Sequence, residues 1–173
     1  MSDASLRSNR PALPRVLAPL LAILVVASAC SQASETDATR DDEGQIAEAD
    51  DVGVFRLRTG DCVQLPDESQ EVETLEGVPC SDPHTGEVIG IHVMSEGADD
   101  PFPGEFALSG IAEEVCVEMF DRVTGLDFLS DPDWNMLPLS PSEVSWDTVD
   151  DREIVCIGAP LDGLPWTTLL PRV

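Results

Sequence analysis

Lysine is absent from the 173-residue sequence, so its basic charge rests on nine arginines. The absence of lysine removes Schiff-base chemistry and the lysine of a phosphate-binding loop. Nine arginines face 34 acidic side chains, which gives a formal net charge of −25. Because nucleic acids and anionic lipid headgroups are bound by clustered positive charge, nucleic acid is not an expected partner.

Familiar catalytic and metal-binding motifs are also missing. The sequence contains no G-x-S-x-G, H-E-x-x-H, phosphate-loop or dinucleotide-binding motif, no C-x-x-C, and only two histidines. Carboxylates are so abundant that a pair of them carries no information about hydrolysis. We therefore predict a protein that is not an enzyme and that uses no metal and no cofactor. The alternative is a metal-dependent or hydrolytic enzyme that uses His84 with nearby carboxylates.

The N-terminus has the order of a secretory signal peptide. Three arginines within residues 1–15 precede an apolar run over 16–26, and small residues then lead to Cys30. The apolar stretch is shorter than the roughly 20 residues that a membrane-spanning helix needs, and Pro19 interrupts it. Residues 1–29 are therefore predicted to be a signal peptide.

The sequence Ala27-Ser28-Ala29-Cys30 resembles the bacterial lipobox, although leucine is commonest at the position of Ala27. The resemblance implies that Cys30 receives a lipid, becomes the first mature residue and anchors the protein on the outer face of the cell membrane. Ala27 and Ala29 also fit an ordinary signal cleavage, so plain secretion is an alternative, and an uncleaved anchor is another. All three predict a location outside the cytoplasm.

Residues 30–51 are predicted to be the lipidated cysteine followed by a disordered acidic tether. Eight acidic residues, one arginine and almost no large apolar residue lie between Ser31 and Asp51. Such a segment buries too little surface to offset the entropy of ordering, and its charges repel one another.

The folded domain is predicted over 52–160, because hydrophobic residues make up 42% of the chain and here follow regular periods. The apolar stripe over 105–124 predicts an amphipathic helix that ends at Gly125. Alternating patterns predict strands, which lie at 54–58, 87–94, 134–139 and 153–157. The class is therefore α+β, with one helix on a small, mainly antiparallel sheet. Residues 161–173 form a C-terminal tail that we expect to pack on the domain; a contact patch is the alternative.

Five cysteines become four once Cys30 is assigned to the lipid. An exported compartment permits two disulfides, and four cysteines allow three pairings that the sequence alone does not separate. Cys116 lies on the buried stripe of the helix and Cys156 within an apolar strand, so a helix resting on the sheet favours bonding between them. Cys62 and Cys80 then close a local loop.

The order of motifs resembles the septum-formation domain of actinobacterial envelope proteins over roughly residues 52–158. The resemblance rests on Gly60-Asp61-Cys62, on the string from Val78 to Val88, and on the helix with a central cysteine. A later proline, Trp146, Arg152 and Cys156 complete it. The family usually carries Gly-Asp-Arg near its end, whereas this chain has Asp150-Asp151-Arg152.

The resemblance implies a small secreted or membrane-tethered module that binds an envelope or cell-division protein, and it brings no established catalytic residues. His84 and its neighbours suit either a contact at a loop rim or a structural role, in which His84 bonds backbone carbonyls. The structural role is favoured. The candidate binding rim contains Asp82, His84, Glu87, Trp146 and Arg152.

Overall fold

The computed structural model describes residues 36–66 and 72–173. The predicted signal peptide and the lipidation site Cys30 lie outside the described residues.

Six strands and two α-helices make up the regular structure of the described residues. Neighbouring strands are all antiparallel, in the order β1-β3-β2-β4-β6-β5. The predicted α+β class is confirmed. Along the chain the elements are β1 (Asp50–Gly53), β2 (Cys62–Gln64), β3 (Thr74–Val78), β4 (Gly86–Val93), α1 (Glu105–Thr124), β5 (Trp134–Leu139), α2 (Glu143–Val149) and β6 (Glu153–Pro160).

The helix α1 has the bounds that its apolar spacing predicts. Its C-terminal cap is Gly125, which adopts the left-handed conformation (φ 71°) and donates its N–H to the Asp121 carbonyl at 2.9 Å. Gly90 lets the helix lie close to β4, since a Cβ at Gly90 would collide with the Met119 side chain. The helix therefore packs tightly on the middle of the sheet.

Apolar side chains are buried on both faces of the sheet. The face beneath α1 buries a cluster that includes Ile89, Leu108, Phe120 and Ile154. The opposite face buries a second cluster that includes Val63, Val88 and Ile157, together with Ala38 and Ile46 from the N-terminal segment.

The prediction of a disordered tether is wrong for residues 36–51. Ala38 and Ile46 are 7% and 4% exposed, and β1 pairs with β3 from Asp50 to Gly53. The composition of the segment does not reveal this packing, because Ala38 and Ile46 are isolated apolar residues among many acidic ones. An ion pair between Arg40 and Asp61, which are far apart in the sequence, also holds the segment in place.

Arg40 fastens this N-terminal segment to the domain. Its guanidinium donates to both carboxylate oxygens of Asp61, at 2.6 and 2.9 Å, and the two side chains are only 8% and 1% exposed. The hydrogen bond to Asp61 raises the pKa of Arg40, an effect that burial opposes. The segment therefore belongs to the folded unit.

The predicted strand over 54–58 is also wrong. Val54–Arg56 form a 3₁₀ helix, and Phe55 is 36% exposed. The chain uses Asp50–Gly53 as the edge strand and then turns away from the sheet.

The helix α2 was not predicted from the sequence. Ser142 caps it by accepting the Ser145 N–H on its side-chain oxygen at 3.1 Å, and Ser145 Oγ accepts the Ser142 N–H at 2.9 Å. Trp146 is the one buried residue of α2, so the helix has no repeating apolar stripe to reveal it.

Candidate functional site

The two disulfides have the pairing that the sequence favoured. Cys62 bonds Cys80 across 18 residues, which joins the start of β2 to the loop between β3 and β4. Cys116 bonds Cys156 across 40 residues, which joins α1 to β6. Each bridge stabilises the fold mainly by restricting the unfolded chain.

His84 is completely buried and is used to hold the loop before β4. Its Nδ1 lies 2.9 Å from the Asp82 carbonyl oxygen, and its backbone exchanges two hydrogen bonds with Trp166, each 2.9 Å long. The Trp166 ring lies against the imidazole at a centroid separation of 4.6 Å. The Nε2 atom of His84 is buried and has no hydrogen-bond partner in the described part of the chain. These contacts are those of a structural histidine.

Glu87 is fully buried beneath the C-terminal segment. One carboxylate oxygen accepts the Leu170 N–H at 2.6 Å, and the other is bonded by the Arg172 guanidinium. Leu170 itself is only 2% exposed. The tail over 161–173 is therefore held on the domain at Leu170 and Arg172, whereas its other leucines, Leu161, Leu164 and Leu169, are 49–64% exposed.

Trp146 and Arg152 are both buried and contact each other. The guanidinium carbon of Arg152 lies 3.6 Å from the centre of the Trp146 ring, a cation–π contact. Arg152 also donates to the Trp146 and Gly97 carbonyls, each at 3.1 Å, while Trp146 Nε1 donates to the Asp100 carbonyl at 2.8 Å. These bonds fix α2 against the loop before α1.

The predicted binding rim is not a surface. Of its five residues only Asp82 is exposed; His84, Glu87, Trp146 and Arg152 are at most 6% exposed.

The rim residues also do not lie together. Glu87 pairs with Gly158 at one end of the β4–β6 ladder, whereas Arg152 precedes Glu153, which pairs with Val93 at the other end. Six strand residues separate the two ends by about 20 Å. The rim prediction is therefore corrected to two separate structural clusters.

The departure from the Gly-Asp-Arg pattern falls on a residue with special backbone geometry. Asp150 is the C-cap of α2 and has φ 56°, the only positive φ of a non-glycine residue among those described. Aspartate tolerates the left-handed conformation better than most residues. Asp150 Oδ1 also lies 3.2 Å from the Arg152 guanidinium. The turn is therefore kept without its glycine.

A surface groove of about 430 Å³ lies between α2, the 3₁₀ helix, and strands β5 and β6. Phe55 lines one side, and Val144 and Val149 of α2 line the other. These three side chains are 36%, 69% and 60% exposed. Trp146 and Arg152 are positioning residues for this groove, because they anchor the buried side of the helix whose outer side lines it.

The charged residues that line the groove are all acidic: Glu73, Asp151 and Glu153. Sequence reasoning missed the groove because Phe55 was assigned to a strand and no element was predicted at the position of α2. No single local pattern identifies it, since segments near residues 55, 73, 139 and 149 meet there only in the fold.

The described residues contain no group of three or more His, Cys, Asp or Glu side chains that could hold a metal ion. Within residues 36–66 and 72–173, no helix is both long enough and apolar enough to cross a membrane.

These features define a disulfide-stabilised α+β domain with an acidic, partly apolar groove. The chain belongs to the septum formation family, whose model matches residues 28–157. Membership connects the chain to cell division, and the family is not a known family of enzymes. No curated protein and no solved structure matches the chain.

Proposed function

We propose that the protein is a lipoprotein held on the outer face of the cell membrane through Cys30, and that its domain binds another envelope or cell-division component without catalysis. The observation that carries the binding role is the groove, where Phe55, Val144 and Val149 stay exposed. Burying an apolar side chain of this size contributes about 1.5–3 kcal/mol, so a partner that covers the groove gains binding energy there.

The location is supported by the disulfides and by the lipobox-like sequence. Stable disulfides are typical of exported domains and rare in the cytoplasm, and this domain has two. Cys30 directly follows the small residues at which a signal peptide is cut.

The absence of catalysis is supported by how the candidate catalytic residues are used. His84 and Glu87 are both 0% exposed. His84 Nδ1 contacts a backbone carbonyl, and the Glu87 carboxylate is occupied by Leu170 and Arg172. Neither side chain is open to a substrate, so the structure gives the hydrolase alternative no specific support.

Two experiments on the full-length chain in its host test the proposal. The first compares wild type with Cys30→Ala: we expect the wild-type mature protein to carry a lipid mass and to sediment with membranes, and the variant to lose both. An unmodified Cys30 on a wild-type chain, or a uniform cytosolic location, would overturn the anchoring.

The second experiment tests the groove with a matched pair of variants. Val144 and Phe106 are each the second residue of a helix and are 69% and 94% exposed, but only Val144 lines the groove. An aspartate is tolerated in the first turn of a helix, so neither change should unfold the domain. We expect Val144→Asp to impair septum formation and Phe106→Asp to leave it normal. Equal effects of the two would contradict a binding role for the groove.

A further inference from the structure

The distance between the anchor and the groove is set by very few residues. Because the domain begins by Thr36 and not near residue 52, only six peptide units join Cys30 to Thr36. Whatever their conformation, they span at most about 20 Å. A domain of this size is roughly 35 Å across, so Thr36 cannot move farther from the lipid than about half the domain's width.

Thr36 lies beside the groove. Its carbonyl accepts the Gly53 N–H at 2.7 Å, and the next residue, Val54, lines the groove together with Phe55. The Val54 N–H in turn donates to the carbonyl of Glu73, which also lines the groove, at 3.0 Å. The end of the groove that holds Phe55 is therefore kept near the membrane surface when Cys30 carries a lipid.

The charge of the groove selects the kind of occupant. Glu73, Asp151 and Glu153 line it, and no arginine or histidine does. Such a groove favours apolar side chains next to basic ones, and it repels anionic lipid headgroups and the acidic remainder of a second copy of this chain.

From these two observations we propose that the groove binds the extracytoplasmic juxtamembrane segment of an integral membrane protein, a stretch that combines apolar side chains with lysine or arginine. This inference rests on the proposed anchoring through Cys30. It names the class of partner, which the family membership does not.

Photo-crosslinking in the host, with the full-length chain, tests the inference. A photoreactive benzoylphenylalanine replaces Phe55 in one strain and Phe106 in the control strain, and mass spectrometry identifies the attached peptide. We expect position 55 to capture a peptide that directly flanks a transmembrane span and contains basic residues, and position 106 not to capture it. A peptide from this chain, a peptide from a soluble protein, lipid alone, or the same products from both positions would overturn the inference.

Three further variants test whether the acidic charge of the groove and its closeness to the membrane determine the partner. Glu73→Gln and Glu153→Gln are each expected to lower the crosslink yield about threefold, the size of one exposed ion pair. A flexible insertion of thirty Gly and Ser residues after position 33 should lower the yield at least about threefold, because it lets the domain leave the membrane surface. An unchanged yield after the insertion would refute the argument from proximity.

The lipid mass and the membrane fraction of the same strains are measured separately. If Cys30 is lipidated and position 55 captures a soluble protein, this inference fails while the proposed function stands. If Cys30 is not lipidated, the proposed anchoring itself fails.

Discussion

The ion pair between Arg40 and Asp61 gives the sharpest test of the fold, because it joins a segment that composition marks as disordered to the Gly-Asp-Cys motif. The Asp61 side chain is 1% exposed, and it accepts two hydrogen bonds from Arg40 and one from the Arg58 backbone N–H at 2.8 Å. In Arg40→Ala the carboxylate keeps only the backbone donor. Breaking a buried pair by removing one partner costs about 3–5 kcal/mol, since the other charge is left buried.

Urea unfolding of the oxidised protein measures this cost. For a domain of this size a loss of about 4 kcal/mol lowers the midpoint by about 2 M urea. The matched control is Arg58→Ala. The Arg58 side chain is 54% exposed, and its guanidinium pairs with the partly exposed Asp37 at 2.9 Å. An exposed pair of this kind is worth less than about 1 kcal/mol.

Hydrogen exchange locates the effect. The Ala47 N–H donates to the Thr39 carbonyl at 2.9 Å within the N-terminal segment, so its exchange should accelerate in Arg40→Ala and stay slow in Arg58→Ala. Equal losses of stability in the two variants, or rapid exchange of Ala47 in the wild type, would show that the N-terminal segment is not docked on the domain. The limit on the distance between Cys30 and the groove would then no longer hold.

Three further predictions concern the rest of the fold. The double variant Cys116→Ala/Cys156→Ala should lose about 4 kcal/mol of unfolding free energy by the chain-entropy relation, measured by urea unfolding; an unchanged midpoint would show that this bridge does not constrain the unfolded chain. Asp150→Gly should raise the unfolding free energy by up to about 1 kcal/mol and so raise the melting temperature slightly, because a glycine adopts the φ of 56° without strain. A lower melting temperature would mean that the contact with Arg152 outweighs the backbone strain. Arg172→Ala should cost about 2 kcal/mol, since the fully buried Glu87 carboxylate keeps only the Leu170 N–H; a loss no larger than that of an exposed arginine would contradict this.

Elements with a long, regular pattern could be predicted from the sequence. The helix α1 repeats its apolar positions over 20 residues, and its bounds were predicted correctly. The strand β5 was also predicted at its observed residues, Trp134–Leu139. Both disulfide pairings were favoured by placing Cys116 and Cys156 on facing elements, which leaves Cys62 to bond Cys80.

Features made by contacts between distant residues could not be predicted in this way. Arg40 and Asp61 are 21 positions apart, and nothing in the acidic composition around Arg40 indicates that it finds a buried partner. The helix α2 is seven residues long with a single buried side chain, which is too short for a period to be recognised.

The candidate site was misassigned for a related reason. His84, Glu87, Trp146 and Arg152 are polar or aromatic residues within the motifs, which is why the sequence indicates them as binding residues. Each is buried, and each makes at least one hydrogen bond or ring contact inside the fold. The groove instead uses ordinary residues such as Phe55 and Val144, which have no distinguishing chemistry until the fold brings them together.

The disulfide pairing has a consequence for how the protein matures. Cys62 bonds Cys80 and Cys116 bonds Cys156, so of these four cysteines the first is joined to the second and the third to the fourth in chain order. If the chain is exported from its N-terminal end, the first two of these thiols to emerge are already native partners. If Cys30 is also lipidated, as proposed above, the one earlier thiol that would compete is removed. Oxidation in order of emergence then produces the native connectivity without thiol–disulfide exchange to correct it. Export and lipidation would thus select the correct crosslinks by timing alone.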